Sequence, residues 1–371
     1  MDKHTKKTSF GKWINVINFE KFNETVNVHG QDRYTKKLTT QAYLLLMLHA
    51  QLVKADSLHA LEAALANGDL ARAAGLRSIS VSQLSRKNND VDPAILSNLF
   101  MSLVSRIKGK KVAPVKGMAL KIIDSSTLPL NVNHYNWAKF RKTKAGVKLH
   151  LRLVFDEKGT HYPDKEVITN AKEADRNQLE VLVDDNDALY VFDRGYMDYE
   201  QFDKFADDGL FFVSRLKRNS IVHPVDTFTL PQGCDALSDT MAFIGSNANC
   251  TENVFRIVVL PDGKGGELRL ITNHFELSVE EISDIYRSRW AIELFFKWIK
   301  QHVEIKHFYG QSEKAVKNQI YLVLIAYCLN VLIQMETNSK VPILRITRLL
   351  TAQLWKDSRL WIRRIEGKSE P

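Results

Sequence analysis

LKIIDSS at residues 120–126 is the first of three segments with strand character that follow one another closely in the sequence. The other two are VKLHLRLVFD at 147–156 and HYPDKEVIT at 161–169. Apolar and polar residues alternate from Val147 to Leu153, which is the two-residue period of a half-buried strand. Three such strands in succession predict an antiparallel meander.

The segments after the meander alternate between helix and strand. ADRNQLEVLVDD at 174–185 has helical spacing, ALYVFD at 188–193 has the composition of a buried strand, and a second helix is predicted through Tyr199, Phe202 and Phe205. The resulting order is β-β-β-α-β-α, which is that of a ribonuclease-H-like fold. The predicted fold class is therefore α/β, with a mixed sheet and helices on its faces.

Further segments flank and interrupt this core. Residues 1–110 have mostly helical periodicity and are predicted to form a helical domain. The core is predicted to comprise 111–210 and 278–310, separated by a β-strand insertion at 211–277 with turn signals such as PDGKGG. Residues 311–371 are predicted to be a helical C-terminal region.

The net charge of +9 is concentrated at the N-terminus. Residues 1–120 hold 18 Lys and Arg against nine Asp and Glu, whereas the rest of the chain holds 34 of each. This asymmetry favours a DNA-binding role for residues 1–110, although a basic domain that is only soluble has the same composition. RIKGKKVAPVKG at 106–117 is predicted to be a linker or a DNA-backbone contact. On the second strand of the meander, basic residues form a face suited to DNA or to solvent: Lys142, Lys144, Lys148, His150 and Arg152.

Composition excludes several classes of protein. With 44% hydrophobic and 26% charged residues, the chain is a folded protein and not a disordered one. Its three cysteines, Cys234, Cys250 and Cys328, have no zinc or redox spacing, and a reducing cytoplasm is the predicted location. The longest apolar stretch, residues 320–333, contains Asn330 and predicts a buried helix, not a membrane span.

Two carboxylates follow predicted buried strands. Asp124 comes directly after the apolar residues of the first strand, and Asp193 follows the run at 188–192. A carboxylate at the end of a buried strand is costly unless something compensates it. One such Asp is commonly a turn former or a helix cap. Two of them on neighbouring strands favour a shared metal site.

A long helix is predicted from about residue 279 to about residue 303, because Ser278 and Glu281 form a capping box. Four residues fall on one face of it, within roughly 60° of arc: Tyr286, Arg289, Glu293 and Lys300. An apolar stripe adjoins this face and places it at the edge of the core. A solvated face with an Arg289–Glu293 ion pair is the alternative.

Three carboxylates with cations beside them suit phosphodiester chemistry. Carboxylate oxygens can hold two Mg²⁺ ions about 3.5–4 Å apart, one activating the attacking oxygen and the other stabilising the leaving oxygen. Neighbouring cations can then hold the phosphates. The sequence contains no glycine-rich phosphate loop, and no Ser-His-Asp or Cys-His arrangement indicates another reaction.

Three motifs together resemble the bacterial DDE transposases of the insertion-sequence-4 family. They are IIDSST around Asp124, VFDRGY around Asp193 and Y-x2-R-x3-E-x6-K from Tyr286 to Lys300, the last being that family's signature. The acidic positions are 69 and then 100 residues apart, and the longer gap accommodates a β-strand insertion. The resemblance covers roughly residues 115–310, and the helical N-terminal region is also similar to that of family members.

The resemblance implies an activity and its metal ligands. Asp124, Asp193 and Glu293 would bind the catalytic metal ions, which are Mg²⁺ with Mn²⁺ as a substitute. The protein would bind the terminal inverted repeats of its element, cleave at each end and transfer the freed 3′-OH ends to target DNA. Two rival functions stay open: a DNA-binding repressor without catalysis, and a nuclease that cleaves without joining. The active complex would be a homodimer on double-stranded DNA in the bacterial nucleoid.

The resemblance also implies DNA contacts. Tyr286, Arg289 and Lys300 would contact transposon-end DNA, and Trp290 would act in DNA distortion near the cleavage site, with core packing as the alternative for Trp290. Family members can form hairpin ends with a flipped base stacked on a Trp of the β insertion. Residues 211–275 contain no Trp, and the candidate substitutes are Phe228, Phe243 and Phe255.

Overall fold

The computed structural model describes residues 4–66, 68–108, 114–155, 161–302 and 308–367. Its α-helices are α1 (Ser9–Ile14), α2 (Phe19–Val28), α3 (Thr40–Val53), α4 (Leu58–Ala64), α5 (Gly68–Ala74), α6 (Val81–Asp90), α7 (Pro93–Lys108), α8 (Leu179–Leu182), α9 (Tyr199–Asp207), α10 (Val279–Ser288), α11 (Trp290–His302), α12 (Glu313–Glu336), α13 (Ile343–Ala352) and α14 (Ser358–Ile365). Its strands are β1 (Pro114–Val115), β2 (Met118–Leu130), β3 (Lys139–Arg141), β4 (Lys144–Phe155), β5 (His161–Asn170), β6 (Ala188–Phe192), β7 (Phe211–Arg215), β8 (Val222–Thr227), β9 (Ser238–Ser246), β10 (Asn249–Cys250), β11 (Phe255–Pro261) and β12 (Glu267–Thr272).

A mixed sheet is the centre of the α/β part of the protein. Neighbouring strands follow the order β5-β4-β2-β6-β7, in which β2 is parallel to β6 and β6 is parallel to β7, whereas β4 and β5 are antiparallel. The parallel strand β6 is buried along its whole length, as its continuous apolar sequence predicts. The predicted fold class, α/β with a mixed central sheet, is confirmed, and the arrangement is consistent with a ribonuclease-H-like core.

The helix predicted between the meander and β6 is mostly replaced by shorter structure. A 3₁₀ turn covers Asp175–Gln178, and α8 adds a single turn at Leu179–Leu182. Leu179 and Leu182 are buried against the sheet, so the apolar pattern identified the buried face correctly. The 3₁₀ turn places Asp175 near the strand that carries Asp124, which matters for the site described below.

The predicted β insertion begins inside the core sheet. β7, at its start, pairs in parallel with β6, with Leu189 opposite Phe211. From β7 the sheet continues through antiparallel pairs to β12, β11 and β9. The sequence did not separate β7 from the insertion, because both consist of apolar strand residues and strand pairing is not a local property.

The predicted helix from 279 to 303 is two helices. Its N-terminus is as predicted, because Ser278 and Glu281 form both hydrogen bonds of the capping box. The helix breaks at Arg289, whose N–H donates to the carbonyl of Tyr286 at 3.1 Å instead of the carbonyl four residues back. The prediction of one continuous helix was therefore wrong, and the single-face calculation does not apply across the break.

A second compact unit consists of Met1–Lys110, Leu128–Gly146 and Lys297–Pro371, while Lys111–Thr127 and Val147–Phe296 form the unit with the mixed sheet. This division differs from the five predicted segments. α12 packs along α7 and also contacts α3 and α6, so the N-terminal helices share one core with the C-terminal helices. The middle of the predicted linker at 106–117, residues 109–113, lies outside the described residues.

α12 is the buried helix that the apolar stretch at 320–333 predicts. Among the described residues it is the helix long and apolar enough to cross a membrane, and 89% of its most apolar window is buried inside the structure. Its Asn330 is fully buried and hydrogen-bonded, since it accepts from Trp13 Nε1 at 2.9 Å and donates to Thr347 Oγ1 at 2.9 Å. The buried amide is therefore satisfied within the helical unit.

Candidate active site

Asp124 and Asp193 lie beside each other at one edge of the sheet. β2 and β6 are parallel neighbours with Ile123 opposite Phe192, and each Asp is the next residue along its chain. Asp124 still belongs to β2, whereas Asp193 follows β6 and caps a 3₁₀ turn, accepting the N–H of Gly195 at 2.5 Å. The predicted proximity of these two carboxylates follows from the parallel register.

Arg289 joins the third carboxylate to the first. Its Nη1 lies 3.3 Å from Asp124 Oδ2, and its Nη2 donates to Glu293 Oε1 at 2.5 Å. The Arg289 side chain is only 19% exposed, so solvent screens these contacts weakly. The guanidinium therefore acts as the counterion of two carboxylates that come from different elements.

The carboxyl group of Asp124 is in an environment that disfavours its charged form. Burial raises the pKa of Asp124 to about 6, and the carboxylates of Asp193 and Asp175 act in the same direction. The backbone N–H of Ser125, which donates to Asp124 Oδ1 at 2.7 Å, and the Arg289 guanidinium oppose this shift. A second positive charge at this point would stabilise the ionised form.

The other predicted residues of the signature differ in their surroundings. Tyr286 is largely buried, with the Arg289 guanidinium carbon 5.8 Å from the centre of its ring. Trp290 is 61% exposed, so core packing, the alternative for this residue, is wrong. Lys300 is exposed in α11. The break at Arg289 turns the guanidinium toward the carboxylates and leaves the next side chain, Trp290, in solvent.

The basic strand face predicted for DNA or solvent is instead buried or paired over most of its length. Arg152 is buried and ion-paired with Asp164 and Asp184. His150 is fully buried, and burial lowers its pKa to about 4, so the ring is neutral at physiological pH. Lys148 pairs with Asp175 at 3.2 Å. Acidic side chains from other segments, among them Asp175, therefore lie against this face. Alternation along one strand does not show which residues pack against it.

Three phenylalanines of the β insertion are candidates to stack a flipped base in place of a Trp, and the structure makes two of them less suitable. Phe255 is fully buried in the core beside the sheet and cannot present a face to a base. The guanidinium of Arg256 lies 4.8 Å from the ring centre of Phe228. Phe243 is half-buried and stays a candidate.

Carboxylate oxygens are the ligands that Mg²⁺ and Mn²⁺ prefer, and the site concentrates them. A Cβ atom on Gly195 would lie 2.8 Å from Asp193 Oδ1 and 3.7 Å from Asp175 Oδ2, so two carboxylates converge over this glycine. Among the residues that the structure describes, no three acidic, His or Cys side chains already surround one ion position. Arg289 stands between Asp124 and Glu293, and the donor set fits a divalent cation that replaces this guanidinium.

Comparison with known proteins identifies the family. A family model described as the transposase DDE domain matches residues 116–329, more than half of the chain. A Geobacillus stearothermophilus protein whose name describes the transposase of insertion sequence element IS5377 is 29% identical over 275 residues, 69% of this chain and 67% of that protein. The Sinorhizobium fredii protein y4zB, also named as a transposase, is 30% identical over 247 residues, 64% of this chain and 67% of that protein.

The chain belongs to the DDE transposase family. It is therefore an enzyme that cleaves DNA and transfers strands, as the three motifs implied. A Synechocystis protein named as the transposase of element IS4SA is 22% identical over 285 residues, 74% of this chain and 78% of that protein. The assignment to the insertion-sequence-4 family stays a prediction.

The N-terminal region of this DDE transposase has a separate match. A second family model, described as a domain of unknown function, covers residues 5–77. This match stops short of α6 and α7, which belong to the same compact unit. The transposase domain model, by contrast, runs through the carboxylates and ends inside α12.

One residue near the carboxylates was missed by the sequence reasoning. Asp175 accepts a hydrogen bond from Ser125 Oγ at 2.6 Å, and Ser125 is the residue after Asp124. In the sequence Asp175 is the first acidic residue of a predicted helix, which is an ordinary capping position. Only the folded arrangement shows that Asp175 lies beside Ser125 and adds a fourth carboxylate near Asp124 and Asp193.

Proposed function

We propose that Asp124, Asp193 and Glu293 are the catalytic metal ligands of a transposase that binds the terminal inverted repeats of its element and moves it by cut-and-paste. The observations that support this most directly are the parallel pairing of β2 with β6, which brings Asp124 next to Asp193, and the ion pairs of Arg289 with Asp124 and Glu293. Divalent metal ions are general in this family, and Mg²⁺, with Mn²⁺ as substitute, is the proposed cofactor.

The carboxylates hold the reaction centre in place. Asp124 and Asp193 are fixed by adjacent parallel strands, so their separation changes little, whereas Glu293 comes from a helix. These three carboxylates would hold the divalent cation, which when bound would supply Lewis-acid chemistry for the scissile phosphate and the attacking oxygen. Arg289 then has to leave at least one carboxylate, which frees its guanidinium to contact a DNA phosphate.

The test uses the full-length protein with labelled transposon-end DNA. Asp124→Asn, Asp193→Asn and Glu293→Gln should each abolish 3′-end cleavage while end binding persists in the absence of metal. Asp284→Asn, an exposed carboxylate on α10 paired with Arg287, is the matched control and should cleave normally. Loss of end binding in the first three variants would contradict the assignment.

The same assay separates the rival functions. Labelled 3′ ends that appear joined to target DNA identify a transposase, whereas free cleaved ends alone identify a nuclease. Binding of the ends without cleavage would identify a repressor. The proposed homodimer has a physical reason, because coordinated insertion requires both element ends in one complex. The mass of the protein–DNA complex formed with end DNA tests whether the protein is a homodimer there.

We propose that the N-terminal helices bind the element ends through a basic cleft between α6 and the loop before α3. The cleft has a volume of about 770 Å³, and its lining includes Lys36, Lys37 and Arg86. These three side chains are exposed. Tyr34 is 85% exposed at the same cleft, and the Arg33 guanidinium lies 5.5 Å from its ring centre. Cations beside an exposed aromatic ring are the usual means of holding nucleic-acid backbone and bases.

The cleft has to be tested in the full chain. A fragment ending near residue 110 would expose the face of α7 that packs on α12, so it is not expected to fold alone. Combined replacement of Lys36, Lys37 and Arg86 by Ala should lower the slope of log affinity against log salt by about 0.9 for each phosphate that the variant no longer neutralises. The exposed Lys21→Ala is the control. An unchanged slope in the combined variant would place end recognition elsewhere.

We propose Phe243 as the aromatic residue for a hairpin route, because Phe255 is buried and Phe228 is covered by Arg256. Phe243→Ala should reduce a hairpin product on denaturing gels while first-strand cleavage continues. A hairpin yield equal to that of the unmodified protein would exclude this residue.

A further inference from the structure

We infer that Asp175 is a fourth acidic residue of the active site, which strengthens binding of the divalent cation through its charge and through the position of Ser125. This inference rests on the proposed metal-dependent function and adds a residue outside the three motifs. Three observations carry it: the contacts of one carboxylate oxygen, the direction of the other, and a buried hydroxyl group beside them.

The first oxygen of Asp175 is held by groups on two strands. Oδ1 accepts from Ser125 Oγ at 2.6 Å and lies 3.2 Å from Lys148 Nζ. His150 Nδ1 is 3.6 Å from the same oxygen. Since the N–H of Ser125 donates to Asp124 Oδ1 at 2.7 Å, Asp175 and Asp124 are linked through a single residue. Movement of Asp175 would therefore displace the backbone that orients Asp124.

The second oxygen faces the other carboxylates. A Cβ on Gly195 would lie 3.7 Å from Asp175 Oδ2 and 2.8 Å from Asp193 Oδ1, so both oxygens border the space above this residue. A real Cβ essentially never comes within 3.0 Å of such an atom, so any larger residue would push the Asp193 carboxylate aside. Glycine at 195 therefore keeps open the space between the two carboxylates.

A buried hydroxyl group lies beside these carboxylates. Tyr196 is 1% exposed, and the Ser125 side chain is the hydrogen-bonding group beside its Oη. Burial raises the pKa of Tyr196 well above its ordinary value, and the charges of Asp124, Asp175 and Asp193 act in the same direction. The Tyr196 hydroxyl is therefore a polar group that the fold buries beside three carboxylates, next to the same Ser125 that donates to Asp175.

The charge balance agrees with a divalent ion. Four carboxylates, those of Asp124, Asp175, Asp193 and Glu293, meet two cationic side chains, Arg289 and Lys148. His150 is neutral because burial lowers its pKa to about 4. The cluster therefore carries two uncompensated negative charges. Without Asp175 the same cluster would carry one, and its attraction for a divalent cation would be weaker.

The variant that tests this is Asp175→Asn, which removes the charge but keeps an oxygen that can accept from Ser125. Mn²⁺ binding to the full-length protein is measured by calorimetry at pH 7.5, together with the Mn²⁺ concentration for half-maximal end cleavage. We expect the Mn²⁺ affinity to fall about tenfold and the half-maximal Mn²⁺ concentration to rise by about the same factor. This is the lower end of what residues beside the direct ligands contribute to metal affinity. Saturating Mn²⁺ should restore cleavage, and Asp175→Glu should recover most of the affinity.

The matched control is Asp185→Asn. Asp185 is also a half-exposed carboxylate paired with a strand lysine, since Lys121 Nζ lies 2.6 Å from it. If only the loss of an ion pair mattered, Asp175→Asn and Asp185→Asn would lower thermal stability alike and leave Mn²⁺ affinity unchanged. That result would overturn the inference.

A second variant keeps the inference testable if Asp175→Asn does not fold. Ser125→Ala removes the hydroxyl that donates to Asp175 Oδ1 but keeps the backbone N–H that donates to Asp124, and it should also weaken Mn²⁺ binding. Unchanged Mn²⁺ affinity in Ser125→Ala would then overturn the inference. Failure of the proposed function would look different, because Asp193→Asn would in that case still cleave DNA.

Discussion

Replacement of Arg289 by Ala should change metal binding and DNA binding in opposite directions. In the metal-free protein this side chain bridges Asp124 and Glu293, with the shorter contact, 2.5 Å, made to Glu293. A divalent cation that uses both carboxylates has to displace the guanidinium from at least one of them. On the proposed function, Arg289 would compete with the ion before DNA arrives and would bind a phosphate afterwards.

The size of the effect follows from the hydrogen bonds that Arg289 donates. A hydrogen bond to a charged group contributes about 1.5–3 kcal/mol, and partial exposure of the Glu293 partner reduces this to about 1–2 kcal/mol. Removal of the competitor should strengthen Ca²⁺ binding by the same amount, which is about 5- to 30-fold in the dissociation constant. The metal-free variant should lose a comparable part of its free energy of unfolding.

The assay uses Ca²⁺, which is expected to occupy the site without supporting turnover. Calorimetry gives the Ca²⁺ affinity, and gel shifts in saturating Ca²⁺ give the affinity for end DNA. We expect Arg289→Ala to bind Ca²⁺ more tightly, to bind end DNA more weakly and to cleave slowly. Thermal melts should show a larger stabilisation by Ca²⁺ than in the unmodified protein. Unchanged or weaker Ca²⁺ binding would refute the competition, and unchanged DNA affinity would refute the phosphate contact.

Three further predictions concern neighbouring residues. Trp290→Ala should keep the free energy of unfolding within about 0.5 kcal/mol of that of the unmodified protein, because the ring is exposed, but it should slow end cleavage. A large loss of stability in urea unfolding would contradict this. Lys300→Ala should weaken end binding in Ca²⁺ and lower the salt slope by about 0.9, and an unchanged slope would exclude a phosphate contact. Because the pKa of Asp124 is raised to about 6, chiefly by burial, the protonated carboxyl stabilises the metal-free fold at low pH, and this stability is lost as pH rises from about 4 through 6. Urea unfolding in EDTA should show a loss of about 2–3 kcal/mol over that range, which Asp124→Asn removes; equal pH dependence of the two proteins would contradict the shift.

Some sequence predictions failed for a physical reason that they share. The continuous helix across Arg289 and the exposed basic face of β4 were both inferred from local periodicity. Periodicity shows which residues can share a face, but it does not show what packs against that face. Arg152 and His150 alternate as exposed residues would, yet Arg152 pairs with Asp164 on the neighbouring strand β5 and His150 lies against Asp175 of the 3₁₀ turn.

The domain organisation could be predicted only in part. The helical character of the N-terminal third and the buried nature of α12 follow from apolar spacing and from a stretch too apolar to face water. That α12 completes the core of the N-terminal helices does not follow, because the partners lie more than 200 residues apart in the sequence. Loop closure over such distances leaves no local signal.

The sequence by itself determined the class of the protein and indicated the three acidic residues that we propose as metal ligands. Strand alternation and buried apolar runs are local properties that indicate the α/β fold, and the transposase class follows from the resemblance of the motifs around Asp124, Asp193 and Glu293 to those of DDE transposases. Only the tertiary structure decided how the charges of the site are balanced. Arg289 meets Asp124 from 165 residues away, and Asp175 meets Ser125 from 50 residues away. Such contacts depend on strand register and on the break between α10 and α11, which arise only when the whole chain packs.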